Sequence, residues 1–232
     1  MTEYSRENPS PRYVELLGYY REMHEKGAED QNIPPEKTFD GQSLPKHAGT
    51  IGSIIATYKS KTILDYGSGK GMQYEPKNIK LPNGLNFPDI KTAWGADTIT
   101  CFDPGYQPFN TLPKGQFDGV ISTDVLEHCP GEDIPWLLNE IFGFAKQFVY
   151  LNIACYPARK TLPNGENAHC TLQAPRVWVQ LVGQSVKRFS KPKCWIAFDV
   201  VKADETGKKG VVTELFEWDH PEPEAADEYG EV

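Results

Sequence analysis

Three groups of residues in this 232-residue chain combine chemically useful side chains with useful spacing. The first is Leu64-Asp65-Tyr66-Gly67-Ser68-Gly69-Lys70-Gly71, an acid followed by alternate glycines. Such a run lets the chain turn through backbone angles that other residues avoid, and lets a ligand lie against bare backbone. The second is a pair of acids at the ends of apolar runs, Asp103 after Thr98 to Phe102 and Asp124 after Phe117 to Thr123. A carboxylate at the C-terminal end of a strand in an open sheet sits where ligands bind, and it can accept hydrogen bonds from sugar hydroxyls. The third is His128 and His169, each in a polar stretch near Glu127, Tyr156 and Arg159. An imidazole with an unperturbed pKa near about 6.5 can remove a proton at neutral pH. His24 and His47 read as structural or solvent-facing. The pairs His128-Cys129 and His169-Cys170 raise a zinc site, but adjacent residues chelate one ion poorly and no Cys-x-x-Cys occurs, so no metal is expected.

The elements that must position these residues can be read from periodicity and punctuation. Ser10 and Pro11 start a helix carrying Tyr13, Leu16, Leu17 and Tyr20, which Gly27 stops. A second helix runs from about Ala48 to Tyr58. Thr62 to Tyr66 is a buried strand leading into the glycines. Residues 73 to 90 hold Pro76, Pro82 and Pro88, so the expected long helix gives way to a short one near Asp89 to Trp94. Thr98 to Phe102 and Gly119 to Ser122 are strands. Ile134 to Lys146 is a helix, Phe148 to Ala154 a central parallel strand, and Pro175 to Gly183 a helix. Trp195 to Val201 and Val211 to Trp218 alternate around a Gly-containing turn and form a hairpin. Leu-Pro-Asn-Gly at 81–84 and 162–165 marks two turns. Strands alternating with helices give an α/β layer fold with a mostly parallel sheet and a C-terminal antiparallel hairpin.

Composition narrows the partners. A net charge of −8 argues against a bare nucleic-acid backbone, though part of it lies in the acidic tail. No apolar run reaches the roughly 18–20 residues that span a bilayer, and the first ten residues resemble no leader. Five cysteines without a paired spacing read as reduced thiols, and a cytoplasmic location is expected. The chain divides into an N-terminal helical lid over 1–59, a cofactor-binding domain over 60–220 and an acidic, disordered tail over 221–232.

The run Leu64 to Gly71, the acid Asp103 and the segment Phe117 to His128 with its Asp-Val-Leu-Glu-His end together resemble class I S-adenosylmethionine-dependent methyltransferases. The resemblance spans about residues 60 to 155. More loosely, Thr38 to Gly41, Ala158 to Lys160 and Asn164 to His169 are similar to an uncharacterised bacterial and phage subfamily. The resemblance implies a Rossmann-like three-layer sandwich that binds S-adenosylmethionine and releases S-adenosylhomocysteine. It implies that Gly67, Ser68, Gly69 and Gly71 contact the methionine part. Asp65 would hold its amino group, directly or through water, and Asp103 the ribose. Asp124, Val125 and Leu126 would flank the adenine or sulfonium. His169 or His128 would act as base toward a small-molecule or glycan-type acceptor, in O- or N-methyl transfer.

Two departures from that family plan stand out. Only fourteen residues separate Asp103 from Asp118, so the usual third helix–strand unit is missing or reduced to a loop, and Phe102, Tyr106 and Phe109 become candidates for an adenine wall. The helix after the glycine loop is also broken. A non-catalytic binder of the same cofactor is the alternative. A nicotinamide oxidoreductase fits less well, because Gly71 comes one residue early for Gly-x-Gly-x-x-Gly. A base-modifying nucleic-acid enzyme lacks its Asn/Asp-Pro-Pro run.

Overall fold

Helix α1 (Pro11–Lys26) starts where the sequence caps it: Ser10 is extended, its Oγ accepts from Tyr13 N at 3.0 Å, and Pro11 occupies the first turn. It ends at Gly27, whose φ of 86° suits a residue without a side chain. In the computed structural model, which describes residues 4–41, 43–80 and 86–218, the chain continues into α2 (Leu44–Tyr58) and β1 (Thr62–Tyr66). A small antiparallel pair, β2 (Ile79–Lys80) and β3 (Asn86–Phe87), precedes α3 (Ile90–Trp94). Then come β4 (Thr98–Phe102), β5 (Phe117–Thr123), α4 (Ile134–Phe144), β6 (Ala145–Ala154), α5 (Pro175–Arg188), β7 (Lys193–Ala203) and β8 (Lys209–Trp218). The turn at 81–84 and the tail from 219 lie outside the described residues.

The main sheet has six strands in the order β4-β1-β5-β6-β7-β8. The first five are parallel, and β8 returns antiparallel along β7. Side-chain alternation builds the two outer layers. On one face Leu64, Val120, Val149, Leu151, Ile196 and Phe198 pack against α4 and α5. On the other, Ile63, Ile121, Phe148, Tyr150 and Trp195 pack against α2 and α3. The period of two places adjacent residues in opposite cores, so both faces are covered, as a parallel sheet requires. The α/β three-layer architecture and the closing hairpin follow the sequence expectation.

The differences have physical causes. Between Asp103 and Phe117 the chain makes only a 3-10 turn at Gln107–Phe109, so the reduced region contributes no strand and β4 is left at the edge of the sheet. A turn at Met72–Tyr74 replaces a helix after the glycines. Helix α2 begins at Leu44 rather than Ala48, because buried Leu44 and Pro45 form its first turn. Helix α4 stops at Phe144 rather than Lys146, because Ala145 is drawn into the ladder opposite Phe117. Helix α5 continues past Gly183 to Arg188, since Ser185 and Val186 still face the core.

The segment before α1 is strapped across α4. Buried Asp133 accepts from Ser10 N at 3.0 Å, Ser10 Oγ at 2.5 Å and Trp136 Nε1 at 2.7 Å. Arg6 pairs with Glu140 and donates to Tyr66 Oη at 2.7 Å, while its guanidinium lies 5.0 Å from the Trp136 ring. Asp133→Ala strands three buried donors at once. Since each costs about 1–3 kcal/mol when left unsatisfied, urea unfolding is expected to show a loss of about 3 kcal/mol or more, with Asp133→Asn losing less.

Candidate functional site

The C-terminal ends of β1, β4, β5 and β6 open into one cavity of about 800 Å³, roofed by α1 and the 27–41 segment. That volume lies within the range of about 300–1,000 Å³ typical of small-molecule and cofactor sites. Tyr13, Tyr20 and Phe39 line it, and so does His24, which the sequence alone reads as structural or solvent-facing. Helix α2 instead lies on the sheet, and contributes Lys46 to the cavity from its first turn.

The glycine loop forms the cavity floor, with Gly67, Ser68 and Gly69 exposed to it. Gly67 and Gly69 have φ of 82° and 57°. A Cβ on Gly67 would overlap the Val125 methyls, and one on Gly69 would strike the Phe39 carbonyl. These glycines therefore serve close packing of protein on protein as much as approach of a ligand. Gly71 packs under Phe109, away from the cavity.

Every backbone N–H of the loop is already engaged. Gly67 N and Ser68 N donate to Phe102 O at 2.7 and 3.1 Å, and Gly69 N to Asp103 Oδ2 at 2.9 Å. Lys70 N donates to Phe39 O at 3.1 Å and Gly71 N to Ser68 O at 3.2 Å. A phosphate-binding loop needs such groups pointing at the ligand, with a helix N-terminus behind them. Here neither feature is present: the N–H groups are spent within the protein, and a single 3-10 turn at Met72–Tyr74 follows the loop.

Acids surround that floor. Asp103 lines the cavity and joins two loops, accepting from Gly69 N through one oxygen and from Gly105 N at 2.8 Å through the other. Burial raises its carboxyl above the ordinary range, and those backbone donors pull it back. Asp65 lies beneath the loop, outside the cavity lining. Its Oδ2 accepts from Gln73 Nε2 at 2.9 Å and Tyr74 Oη at 2.8 Å, while its buried Oδ1 has no hydrogen-bond partner. Burial pushes the Asp65 carboxyl up to about 6.

The end of β5 turns sharply. Asp124 has a φ of 62°, a left-handed conformation that a non-glycine residue adopts at some cost. Its Oδ2 accepts from Ser43 Oγ at 2.9 Å. Val125 lines the cavity, but Leu126 is buried in the core beside the α4 residues, so its flanking role is packing rather than cofactor contact. His128 and His169 both line the cavity, with ring centroids 4.7 Å apart. His169 Nε2 lies 3.9 Å from Asp124 Oδ1. Two bonds clamp the histidine-bearing segments together: Thr171 N donates to Glu127 O at 3.0 Å, and Thr171 Oγ1 to Cys129 O at 2.6 Å.

The histidine rings are oriented by their partners. His169 Nδ1 lies 2.6 Å from Tyr156 O, and His128 Nδ1 lies 3.0 Å from Ala168 O. A carbonyl only accepts, so His169 Nδ1 carries a proton, whereas His128 Nδ1 is also 2.9 Å from the Tyr20 hydroxyl, which can donate as well as accept. Burial lowers His128 to about 4 against the pull of Asp124, which keeps it neutral. Desolvation works to raise Asp124, but His128, Ser43, His169 and Lys160 hold its carboxyl below the ordinary value.

No family model matches the chain, and no curated protein does. Among solved structures the chain is similar to the "DhpI-SAH complex structure", at 13% identity and a TM-score of 0.36, over 89% of this chain and 82% of that one.

The predicted adenine wall is corrected. Phe102 is buried in the core against Tyr66 at 5.1 Å, Phe109 packs on Gly71 and Tyr106, and Tyr106 stacks on His24 at 5.0 Å. None of the three lines the cavity; with no third strand, Tyr13, Leu17, Tyr66, Pro104 and Leu137 supply its apolar side. Ser43, Lys46 and Asp199 were missed as site residues. Asp199 had a signal, an acid near the C-terminal end of an otherwise apolar strand, whereas nothing near Ser43 announces its bond to Asp124.

The raised Asp65 carboxyl sets a sign for stability. Its folded pKa of about 6 exceeds the unfolded value near about 3.9, so the folded state binds the proton more tightly. Its contribution is fully present below the unfolded value and is lost as pH rises through about 6. Asp65→Asn is therefore expected to be more stable than the parent by up to about 3 kcal/mol near pH 7.5, and by about half of that near pH 5, in denaturant titrations.

Proposed function

We propose that this chain is an S-adenosylmethionine-dependent methyltransferase acting on a small-molecule or glycan-type acceptor. One observation carries the reading: the glycine loop has spent its N–H groups internally and forms the floor of a cavity lined by Asp103 and Asp124. A pyrophosphate would find no free backbone N–H on that loop. A ligand bearing an ammonium and a sulfonium suits such a floor, and this separates the reading from a nicotinamide oxidoreductase.

The residues present fit that cofactor. The orphaned Oδ1 of Asp65 is a buried acceptor beneath the loop, suited to the amino group directly or through water. The lone pairs that Gly69 and Gly105 leave on Asp103 suit the ribose hydroxyls. Lys46, Arg159 and Lys160 bring positive charge to the cavity for a carboxylate. When bound, the cofactor supplies an activated methyl group, so the protein's share is to bind, orient and exclude water. An acceptor oxygen or nitrogen forms its bond to the methyl carbon as the carbon–sulfur pair returns to sulfur, and the acceptor's proton leaves. His169 and His128 line the cavity where that proton or the acceptor itself would be handled. A non-catalytic binder of the same cofactor would keep the floor but show no turnover.

Calorimetry with S-adenosylmethionine, S-adenosylhomocysteine and NADH tests the reading. Both adenosyl compounds should bind and NADH should not. Asp103→Asn should weaken binding by about tenfold or more, the loss of a charged hydrogen-bond partner being worth about 1.5–3 kcal/mol. Tight NADH binding with no adenosyl binding would overturn the reading, and unchanged affinity in folded Asp103→Asn would overturn the ribose assignment.

A further inference from the structure

We infer that Asp124, His128 and His169 form a binding site for one divalent first-row transition-metal ion. Each offers one ligand atom, and the three atoms lie within 4.8 Å of one another. No metal was expected from the sequence, where attention fell on the His-Cys pairs. The structure assembles a different set: Cys170 is exposed, Cys129 Sγ points to Val125 O at 3.6 Å, and Asp124 takes the place of the thiols.

The grouping of the ligand atoms is the first argument. The Nδ1 atoms of His128 and His169 are turned onto the carbonyls of Ala168 and Tyr156. One atom from each ring and one carboxylate oxygen of Asp124 meet within 4.8 Å at the cavity wall. His169 Nε2 is 3.9 Å from Asp124 Oδ1, too long for a hydrogen bond between them.

Support around the ligands is the second argument. Metal-ligating histidines almost always donate their other ring N–H to a carbonyl or carboxylate, which fixes tautomer and orientation. Both Nδ1 atoms face such a carbonyl here, and Tyr20 Oη lies 2.9 Å from His128 Nδ1. The carboxylate is held as well, by Ser43 Oγ on Oδ2, which leaves Oδ1 toward His169. The third argument is strain: Asp124 holds a left-handed backbone at the cavity wall, where its carboxylate comes within 4.8 Å of both histidine ligand atoms. Two imidazoles and one carboxylate form the set that takes divalent iron, manganese, cobalt or zinc while leaving positions open.

The role of the ion rests on the methyltransferase reading. The three residues line the same cavity as the glycine floor. An ion held there would stabilise the alkoxide form of an acceptor hydroxyl, whose proton would pass to water. Such an oxygen would bond to the methyl carbon as the carbon–sulfur pair returned to sulfur. The site would thus favour an oxygen acceptor and would make the histidines ligands instead of bases.

The test uses the full chain after EDTA treatment, titrated calorimetrically with ZnCl2, MnCl2 and CoCl2, with S-adenosylhomocysteine titrated into the same samples. One ion per chain is expected, with cobalt giving visible d–d absorption. His128→Ala and His169→Ala should each weaken binding by about tenfold or more, with circular dichroism reporting the fold. If either alanine variant fails to fold, Asp124→Asn, tolerated in left-handed backbone, should show the same loss. Failure of all three ions to bind at up to about 1 mM, or unchanged binding in folded variants, would overturn the proposal and leave an ion pair of Asp124 and His169. Metal binding without adenosyl binding would sink the methyltransferase reading alone, and the converse would sink the metal alone.

Discussion

Asp103 holds the ligand-facing end of this fold together. Its carboxylate ties the glycine loop after β1 to the turn after β4 by accepting from Gly69 and Gly105, and it can do so only because the two strands are parallel neighbours that end level. The consequence runs through the whole floor. With Gly69 N bound to Asp103, Lys70 N to Phe39 O and Gly67 N to Phe102 O, the loop has its backbone donors engaged before any ligand arrives. The electrostatic character of the floor is then set by its acids, Asp103 at the cavity and Asp65 beneath the loop. The same carboxylate lies 3.9 Å from His24 Nε2, where burial lowers the imidazole to about 4 and so keeps it neutral beside a negative group.

The second dependence is on the lid. Lys70, from the glycine loop, reaches into the N-terminal segment and donates to His24 O at 3.1 Å and to Pro35 O. Thr38 Oγ1 donates to Met23 O at 2.9 Å. Helix α1 is thereby fixed at one end to the glycine loop and at the other, through Ser10 and Arg6, to α4. Opening the roof would mean breaking buried polar bonds at both ends, so entry to the cavity is governed by the stretch between them. Tyr20 occupies that stretch, between Phe39 and His128 at ring distances of 5.6 Å each.

Much of this was legible in the sequence because the signals were local. Ser10-Pro11 and Gly27 bound α1, alternation revealed the hairpin, and glycines after a strand marked the floor. The short gap after Asp103 pointed to a helix–strand unit either missing or reduced to a loop, and the structure has a 3-10 turn there. What the gap could not reveal is what would fill the space: the reading assigned the wall to Phe102, Tyr106 and Phe109, whereas α1 and α4 close that side. That outcome depends on Asp133, Arg6 and Glu140, residues far apart in sequence whose pairing has no local signature. Strand β6 starting at Ala145 is a further case, since a helical pattern yields there to pairing with Phe117.

The site at His128 shows the same limit from the other direction. As isolated letters, His128 and His169 each suggested a base, because a lone imidazole near neutrality suits that task. Their function depends on what each ring nitrogen meets, and the carbonyls of Ala168 and Tyr156 that meet the Nδ1 atoms are ones the sequence cannot place. With both rings oriented that way, Asp124 completes a three-residue set through a strained backbone. A pair of bases would need no such set, since one suffices to take one proton. Shared orientation, shared support and a third ligand held by Ser43 are the demands of an ion that must be met from three sides at once.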